Sequence, residues 1–282
     1  MAMLAAVFDE SETSGQLLVV AGYISRTAQW RQFHQEWCEA LIPEGLNPRT
    51  IPFHMSEFEA RKQPHMKDRG EFLKAIGHWS DEKCQRVLSR LAEIVNSRAA
   101  VGIAIALVLP DFAKVQRGLR PRDRLSPYTF CVMRCFWQAV EWADAQGERE
   151  SIAYIFEDGA GKKPQTEVEK AAAEIYAKSG WRDRYRMGGL VFRKKSECLE
   201  LQAAYMGAWE GRRYCLGSAF QARTREGLRA SLEALLHGLP HHSEYWNERE
   251  LRRFSQHIRS RRASVWKPQV GAPGGESKGR PN

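Results

Sequence analysis

The chain of 282 residues is poor in metal-binding cysteine patterns: Cys38, Cys84, Cys131, Cys135, Cys198 and Cys215 lie far apart, with no CxxC and no Cys/His pair at zinc spacing. Structural zinc is therefore not expected, and the six read as small buried hydrophobes of a reduced protein. Cys131 and Cys135 share one helical face, yet nothing nearby completes a thiolate site. Long apolar runs are lacking too. The longest, Ala99 to Leu109, falls well short of the roughly 18 residues that span a bilayer. The apolar start, Met3 to Phe8, is too short for a signal peptide and runs straight into Asp9 and Glu10. Internal repeats are absent, and 43% apolar with 27% charged residues excludes fibrous and low-complexity classes. The expectation is a soluble cytoplasmic protein with no membrane partner.

Charge of one sign is unevenly placed. Residues 1–180 carry 23 basic and 24 acidic side chains, whereas residues 181–282 carry 20 basic and 10 acidic, so the +9 of the whole chain lies in its last third. Clustered Lys and Arg suit a polyanion through counterion release, and they equally suit a solvated surface.

Apolar spacing outlines the elements. Leu4–Phe8 and Leu17–Ile24 flank a short Gly-containing turn and read as a β-hairpin. Trp30, Phe33, Trp37 and Leu41 recur at helical intervals, and Asp81–Asn96 has a similar apolar side. A strand is expected over Ala99–Leu109, a helix over Ser126–Ala145, a strand over Ser151–Phe156 and a helix over Thr166–Lys178. A strand at Met187–Arg193 and a helix at Leu199–Tyr214 follow. Strands alternating with helices imply an α/β fold, a mixed sheet flanked by helices. Glu226–His237 and Ser243–Arg262 read as two further helices, and from about Gly271 nothing remains to bury.

Two strands end in acids: Asp9-Glu10 and Glu157-Asp158. Ligands in open sheets gather beyond the carboxyl ends of strands, so acids on two adjacent parallel strands would converge there. Converging carboxylates repel unless a divalent cation sits between them, and Mg²⁺ or Mn²⁺ at Asp9, Glu10, Glu157 and Asp158 is the chemical expectation. A pair of such ions can hold both the attacking water and the leaving oxygen of a phosphoryl displacement. Strand-end acids also serve as turn formers and helix caps, which is the plainer reading.

Phe8-Asp9-Glu10-Ser11, Phe53-His54-Met55, Phe156-Glu157-Asp158 and Leu201-Gln202-Ala203-Ala204 with Ala208-Trp209-Glu210 together resemble the pattern of the domain of unknown function numbered 3800, over about Leu4 to Gly211. That resemblance implies a ribonuclease H-like fold over residues 1–215, with a helical insertion at about 26–98. A basic helical extension over 216–265 and a disordered tail over 266–282 would follow. It also implies a metal-dependent nuclease, or a protein derived from one, with Asp9 and Glu157 as catalytic acids. His54 would move protons or contact substrate, although an ordinary hydrogen-bonded loop histidine fits the same residue. The family's aspartate in the closing helix falls here at Tyr205, whose hydroxyl is a poor Mg²⁺ ligand. Glu210 sits about 140° around the helix from Tyr205 and does not replace it. Glu197 or Glu200 are the nearer substitutes.

Cations near these acids complete the reading. Gly159-Ala160-Gly161-Lys162-Lys163 fails the spacing of a nucleotide-binding P-loop but offers a basic turn beside the acids. Lys194 and Lys195 precede the closing helix, and Arg252, Arg253, Arg259, Arg261 and Arg262 form a terminal cluster suited to tracking phosphates. Trp181, Tyr185, Trp209, Tyr214, Tyr245, Trp246 and Trp266 lie among these arginines, as base-stacking platforms or as core. The function expected is hydrolysis of DNA or RNA phosphodiesters by a two-metal mechanism. Its rival is a catalytically impaired nucleic-acid-binding or assembly protein, within a defence or mobile-element complex, joined by a protein partner or a second copy.

Overall fold

Alternation within the first two apolar runs decides the architecture. In β1 (Leu4–Thr13), Leu4, Ala6 and Phe8 face one way while Ala5, Val7 and Asp9 face the other, and both sets are buried. A strand covered on both faces belongs in the middle of a sheet with helices on each side. β1 pairs antiparallel with β2 (Leu17–Arg26) across a turn that needs the left-handed backbone of Gly15, φ +68°. The structure is a computed structural model that describes residues 3–61, 70–158, 162–177, 180–217 and 229–262.

The remaining strands are β3 (Val101–Val108), β4 (Ile152–Glu157), β5 (Met187–Arg193) and β6 (His241–Trp246). They form one mixed sheet in the order β5-β4-β1-β2-β3-β6. β3 runs antiparallel to β2, whereas β4 is parallel to β1, β5 to β4 and β6 to β3.

Helices α1 (Thr27–Leu41), α2 (Met55–Ala60), α3 (Glu71–Ile76) and α4 (Asp81–Arg98) lie between β2 and β3, where the helical insertion was expected. Phe33, Trp37, Phe53 and Phe58 are buried to within 1% exposure there, each contributing about 1.5–3 kcal/mol by leaving water. Ser80 caps α4, its hydroxyl accepting from the Lys83 amide at 3.2 Å. α5 (Leu109–Arg117) begins where Pro110 ends the third strand, and α6 (Pro127–Ala145) is capped by Ser126 and opened by Pro127. α7 (Lys162–Tyr176), α8 (Trp181–Arg184), α9 (Glu200–Leu216), α10 (Ala230–Leu236) and α11 (Glu248–Arg262) complete the set. Cys131 and Cys135 are fully buried on one side of α6, and among the described residues every cysteine is a free thiol. No helix among the described residues is long and apolar enough to cross a membrane.

Three expectations change. His241–Trp246 is a strand and not the start of a helix, so the C-terminal extension supplies the sixth strand of the main sheet. The segment lacks a continuous apolar run. It is held by pairing with β3 and by Glu244, which receives a forked contact from Arg134 of α6. Lys162 and Lys163 lie in the first turn of α7 and not in a basic turn before it, Pro164 being tolerated in a first turn. Arg252 and Arg253 are not uncompensated, because Glu248 and Glu250 pair with them along α11. The side chains of Lys162, Lys163, Arg259, Arg261 and Arg262, like Trp266 and the tail, lie outside the described residues.

Candidate functional site

Register brings the two acids together. Phe8 is paired with Phe156 in the parallel β1–β4 ladder, so Asp9 and Glu157 are the next residues on neighbouring strands and share a face. The face is that of α9. At the point where the carboxylates meet stands an ammonium group: Lys195 Nζ lies 2.8 Å from Asp9 Oδ2 and 2.8 Å from Glu157 Oε2.

Lys195 is buried in the turn between β5 and α9. It donates a hydrogen bond to Glu157, whereas its approach to Asp9 is a charge contact that misses the angle of a directed bond. Asp9 Oδ1 accepts from the Glu10 amide at 2.7 Å, which leaves Oδ2 buried with no directed hydrogen bond. Burial pushes the Asp9 carboxyl well above its usual range, with Lys195 acting against the shift and Glu10 and Glu157 adding to it. Burial by itself would lower the Lys195 amine, but the Asp9 and Glu157 charges outweigh it and the net shift is upward. The two acids therefore hold the lysine in its ammonium form at neutral pH.

Tyr205 and His54 close the site from the helical side. The ring of Tyr205 lies under the ammonium, 4.2 Å from Nζ to its centroid, and His54 packs tilted against that ring, its centroid 4.5 Å away. Ser56 Oγ lies 3.1 Å from His54 Nδ1. Burial, then the Lys195 charge, lowers the His54 imidazole to about 4, so it is neutral at physiological pH. Further along β1 on the same face, Arg212 of α9 donates to Ser11 Oγ at 2.8 Å and to Thr13 Oγ1 at 2.6 Å.

One amide organises all of this. Gln202 of α9 is fully buried, and its Oε1 accepts from Trp37 Nε1 and the Phe53 amide, each at 3.0 Å. Its Nε2 donates to the Pro48 carbonyl at 2.9 Å and to the Lys195 carbonyl at 2.8 Å. The segment that carries His54 and the turn that carries Lys195 are thus fastened to the same side chain. A cleft of about 430 Å³ opens beside the pair, with His54, Glu157, Asp158, Lys194 and Lys195 among its walls. A larger groove of about 1020 Å³ lies along α1 and contains none of the paired acids.

Not all expected residues join the centre. Glu10 follows Asp9 directly, so it projects toward α6 on the opposite face, where Tyr128 donates to it at 3.1 Å. Asp158 is exposed at the cleft wall, and Lys194 is exposed beside it. Lys195 is not a free phosphate contact. Glu200 accepts from Cys198 Sγ at 3.2 Å and lines the larger groove, and Glu197 is exposed. Glu210 meets Ser231 and Arg229 instead. Among the described residues no group of three or more His, Cys, Asp or Glu side chains is disposed to hold a metal ion. Asp9 and Glu157 offer converging carboxylate oxygens, a donor set that suits one hard divalent ion completed by water or phosphate, in competition with Lys195.

Lys195, expected as a phosphate contact, stands instead between the two acids, and the Gln202 clamp is what spacing arguments missed. Lys195 carried a signal, as a cation just past a strand that neighbours an acid-ended strand; Gln202 carried none beyond its place in a motif. No protein-family model matches the chain, and no curated protein sequence matches it.

Proposed function

We propose that this is a ribonuclease H-like nucleic-acid-binding protein in which a lysine has taken the cation position between the strand-end acids, so that it binds polynucleotide without hydrolysing it. The carrying observation is Lys195 Nζ at 2.8 Å from both Asp9 and Glu157, fixed there by the Gln202 clamp. Support for the fold comes from the order β5-β4-β1-β2-β3, an antiparallel three-stranded unit followed by two strands parallel to β1. Tyr205, standing where the resembled family has an aspartate, agrees with lost metal chemistry. Arg193, exposed at the end of β5, and Lys194, exposed at the cleft wall, have no acidic partner among the described residues and supply phosphate contacts.

In this reading the protein shifts labelled single-stranded oligonucleotides, with affinity falling steeply as salt rises. The double variant Arg193→Ala, Lys194→Ala weakens binding and flattens the salt slope by about 1–2, whereas Asp9→Asn leaves binding unchanged. Divalent-stimulated cleavage by the wild type that disappears in Asp9→Asn would overturn it.

One observation favours a second reading, a metal-dependent nuclease: the buried Asp9 Oδ2 lacks a directed hydrogen bond. Asp9 and Glu157 would then hold a single Mg²⁺ or Mn²⁺, whose chemistry is to neutralise phosphate charge and supply an activated water. Calorimetric titration with Mn²⁺ separates the two readings, since only the second requires saturable binding that Asp9→Asn and Glu157→Gln remove. Under the first, Tyr205→Asp creates Mn²⁺ binding that the wild type lacks.

A further inference from the structure

Further along α9 than the centre stands an arginine that faces no carboxylate among the described residues. Arg212 is half-buried. Its Nε donates to Ser11 Oγ at 2.8 Å and its Nη1 to Thr13 Oγ1 at 2.6 Å, both neutral hydroxyls of β1. Every other half-buried arginine among the described residues meets an acid: Arg26 meets Glu148, Arg61 Asp81, Arg98 Glu36, Arg134 Glu244, Arg186 Asp144 and Arg229 Glu59. A cation drawn partly out of water without a counter-charge costs free energy that those other arginines recover from their acids.

The two hydroxyls aim the guanidinium without neutralising it. Glu10 and Glu12, the acids nearest to Ser11 and Thr13 in sequence, alternate onto the opposite face of β1. Burial is the largest influence on the Arg212 titration and lowers it, with Tyr205 acting against the shift and Arg213 adding to it. The group still stays charged at physiological pH, and its Nη2 has no hydrogen-bond partner among the described residues. A planar fork fixed along one edge and free along the other matches the oxygens of a phosphate.

We propose that Arg212, held by Ser11 and Thr13, seats one phosphate of a polynucleotide strand whose other phosphates meet Arg193 and Lys194. The assignment rests on the polynucleotide reading above. Tyr205 and Arg212 share one face of α9, about 10 Å apart along its axis at ~1.5 Å per residue. Lys194 follows the end of β5, which β4 separates from β1, with neighbouring strands ~4.8 Å apart. Since stacked nucleotides rise ~3.4 Å each, the two cations contact different phosphates. The bound strand therefore passes over the carboxyl ends of β5, β4 and β1, which lie on one edge of the sheet.

The full chain is titrated with a labelled single-stranded oligonucleotide over a series of salt concentrations. Arg212→Gln is expected to bind about tenfold more weakly and to flatten the salt slope by about 1. Arg149→Gln removes the same charge from the segment before β4, at the opposite edge of the sheet, and is expected to bind as the wild type does. Arg212→Lys keeps the charge without the fork, so the slope is retained while binding weakens about threefold. That variant decides the matter should circular dichroism show the glutamine variant unfolded. Wild-type binding that is unchanged in the folded Arg212 variants, or an equal loss in Arg149→Gln, overturns the Arg212 assignment and leaves the polynucleotide reading standing. Absence of binding by the wild type overturns both.

Discussion

Removing the cation at the centre should expose how strongly the two acids depend on it. In Lys195→Met the side chain keeps most of its length and apolar stem, but the ammonium 2.8 Å from Asp9 Oδ2 and Glu157 Oε2 is gone. Each contact is worth about 6 kcal/mol at an effective dielectric near ~20. Desolvation of the buried ions offsets several kcal/mol per group, so the expected net loss at neutral pH is about 3–5 kcal/mol. That loss has a required pH dependence. The Asp9 carboxyl is already raised above its ordinary 3.8 by burial, and losing Lys195 raises it further. A carboxyl raised in the folded state costs no stability below its unfolded pKa, and it destabilises progressively as pH climbs through the folded value. The penalty of Lys195→Met must therefore be smallest in acid and grow toward neutrality. Urea denaturation of both proteins at half-unit steps between pH 4.5 and 8 measures it. A penalty below about 1 kcal/mol, or one independent of pH, would refute the view of Lys195 as the charge that holds the acid pair.

Other consequences follow from the same contacts. His54 has a folded value of about 4 against an ordinary 6.5, so the unfolded chain binds the extra proton between those values and stability must fall as pH drops through that window. With its side chain 32% exposed, the screened contribution is about 1–2 kcal/mol, and His54→Gln should flatten the denaturation profile there. In Lys195→Met, the NMR titration of His54 should move upward only in part, because burial is the larger cause of its depression. Gln202→Leu unpairs Trp37 Nε1, the Phe53 amide and the Pro48 and Lys195 carbonyls, and should cost at least about 3 kcal/mol while the Phe53 amide loses exchange protection. Arg134→Met strips Glu244 of its forked partner, costing about 2 kcal/mol, with faster exchange confined to β6 and its neighbours.

Elements that satisfy themselves locally could be read from the chain. The hairpin of β1 and β2, the apolar stripe of α1 and the capped starts of α4 and α6 depend on periodicity, glycine at a turn and serine at a cap. β6 could not, because its residues carry no strand periodicity of their own. Its conformation is imposed by the exposed ladder of β3, by Arg134 reaching Glu244, and by Trp246 packing edge-on to Phe130. Helical spacing is real only from Glu248 in α11, and Asn247 separates it from the strand that ends at Trp246. The terminal arginines misled for a related reason: along a helix, neighbours three or four residues away decide whether a charge is free, and Glu248 and Glu250 are those neighbours.

At the centre, the legible part and the hidden part separate cleanly. Convergence of Asp9 and Glu157 follows from two strand ends in parallel register, and the two-residue period of β1 already sends Glu10 to the other face. What occupies the point of convergence follows from neither. Lys195 is brought there because Gln202 holds its carbonyl while also gripping Trp37, Pro48 and Phe53, residues 149 to 165 positions away for the Phe53 and Trp37 bonds. Such a clamp exists only after the insertion has packed against α9. The same folding event therefore assembles the cleft, seats the cation and depresses His54, which couples the insertion to the charge state of the acid pair. A variant that loosens the insertion without touching a charge, such as Gln202→Leu, should for that reason also raise the His54 titration toward its ordinary value. Were His54 to stay near 4 in that variant, seating of Lys195 would not depend on Gln202.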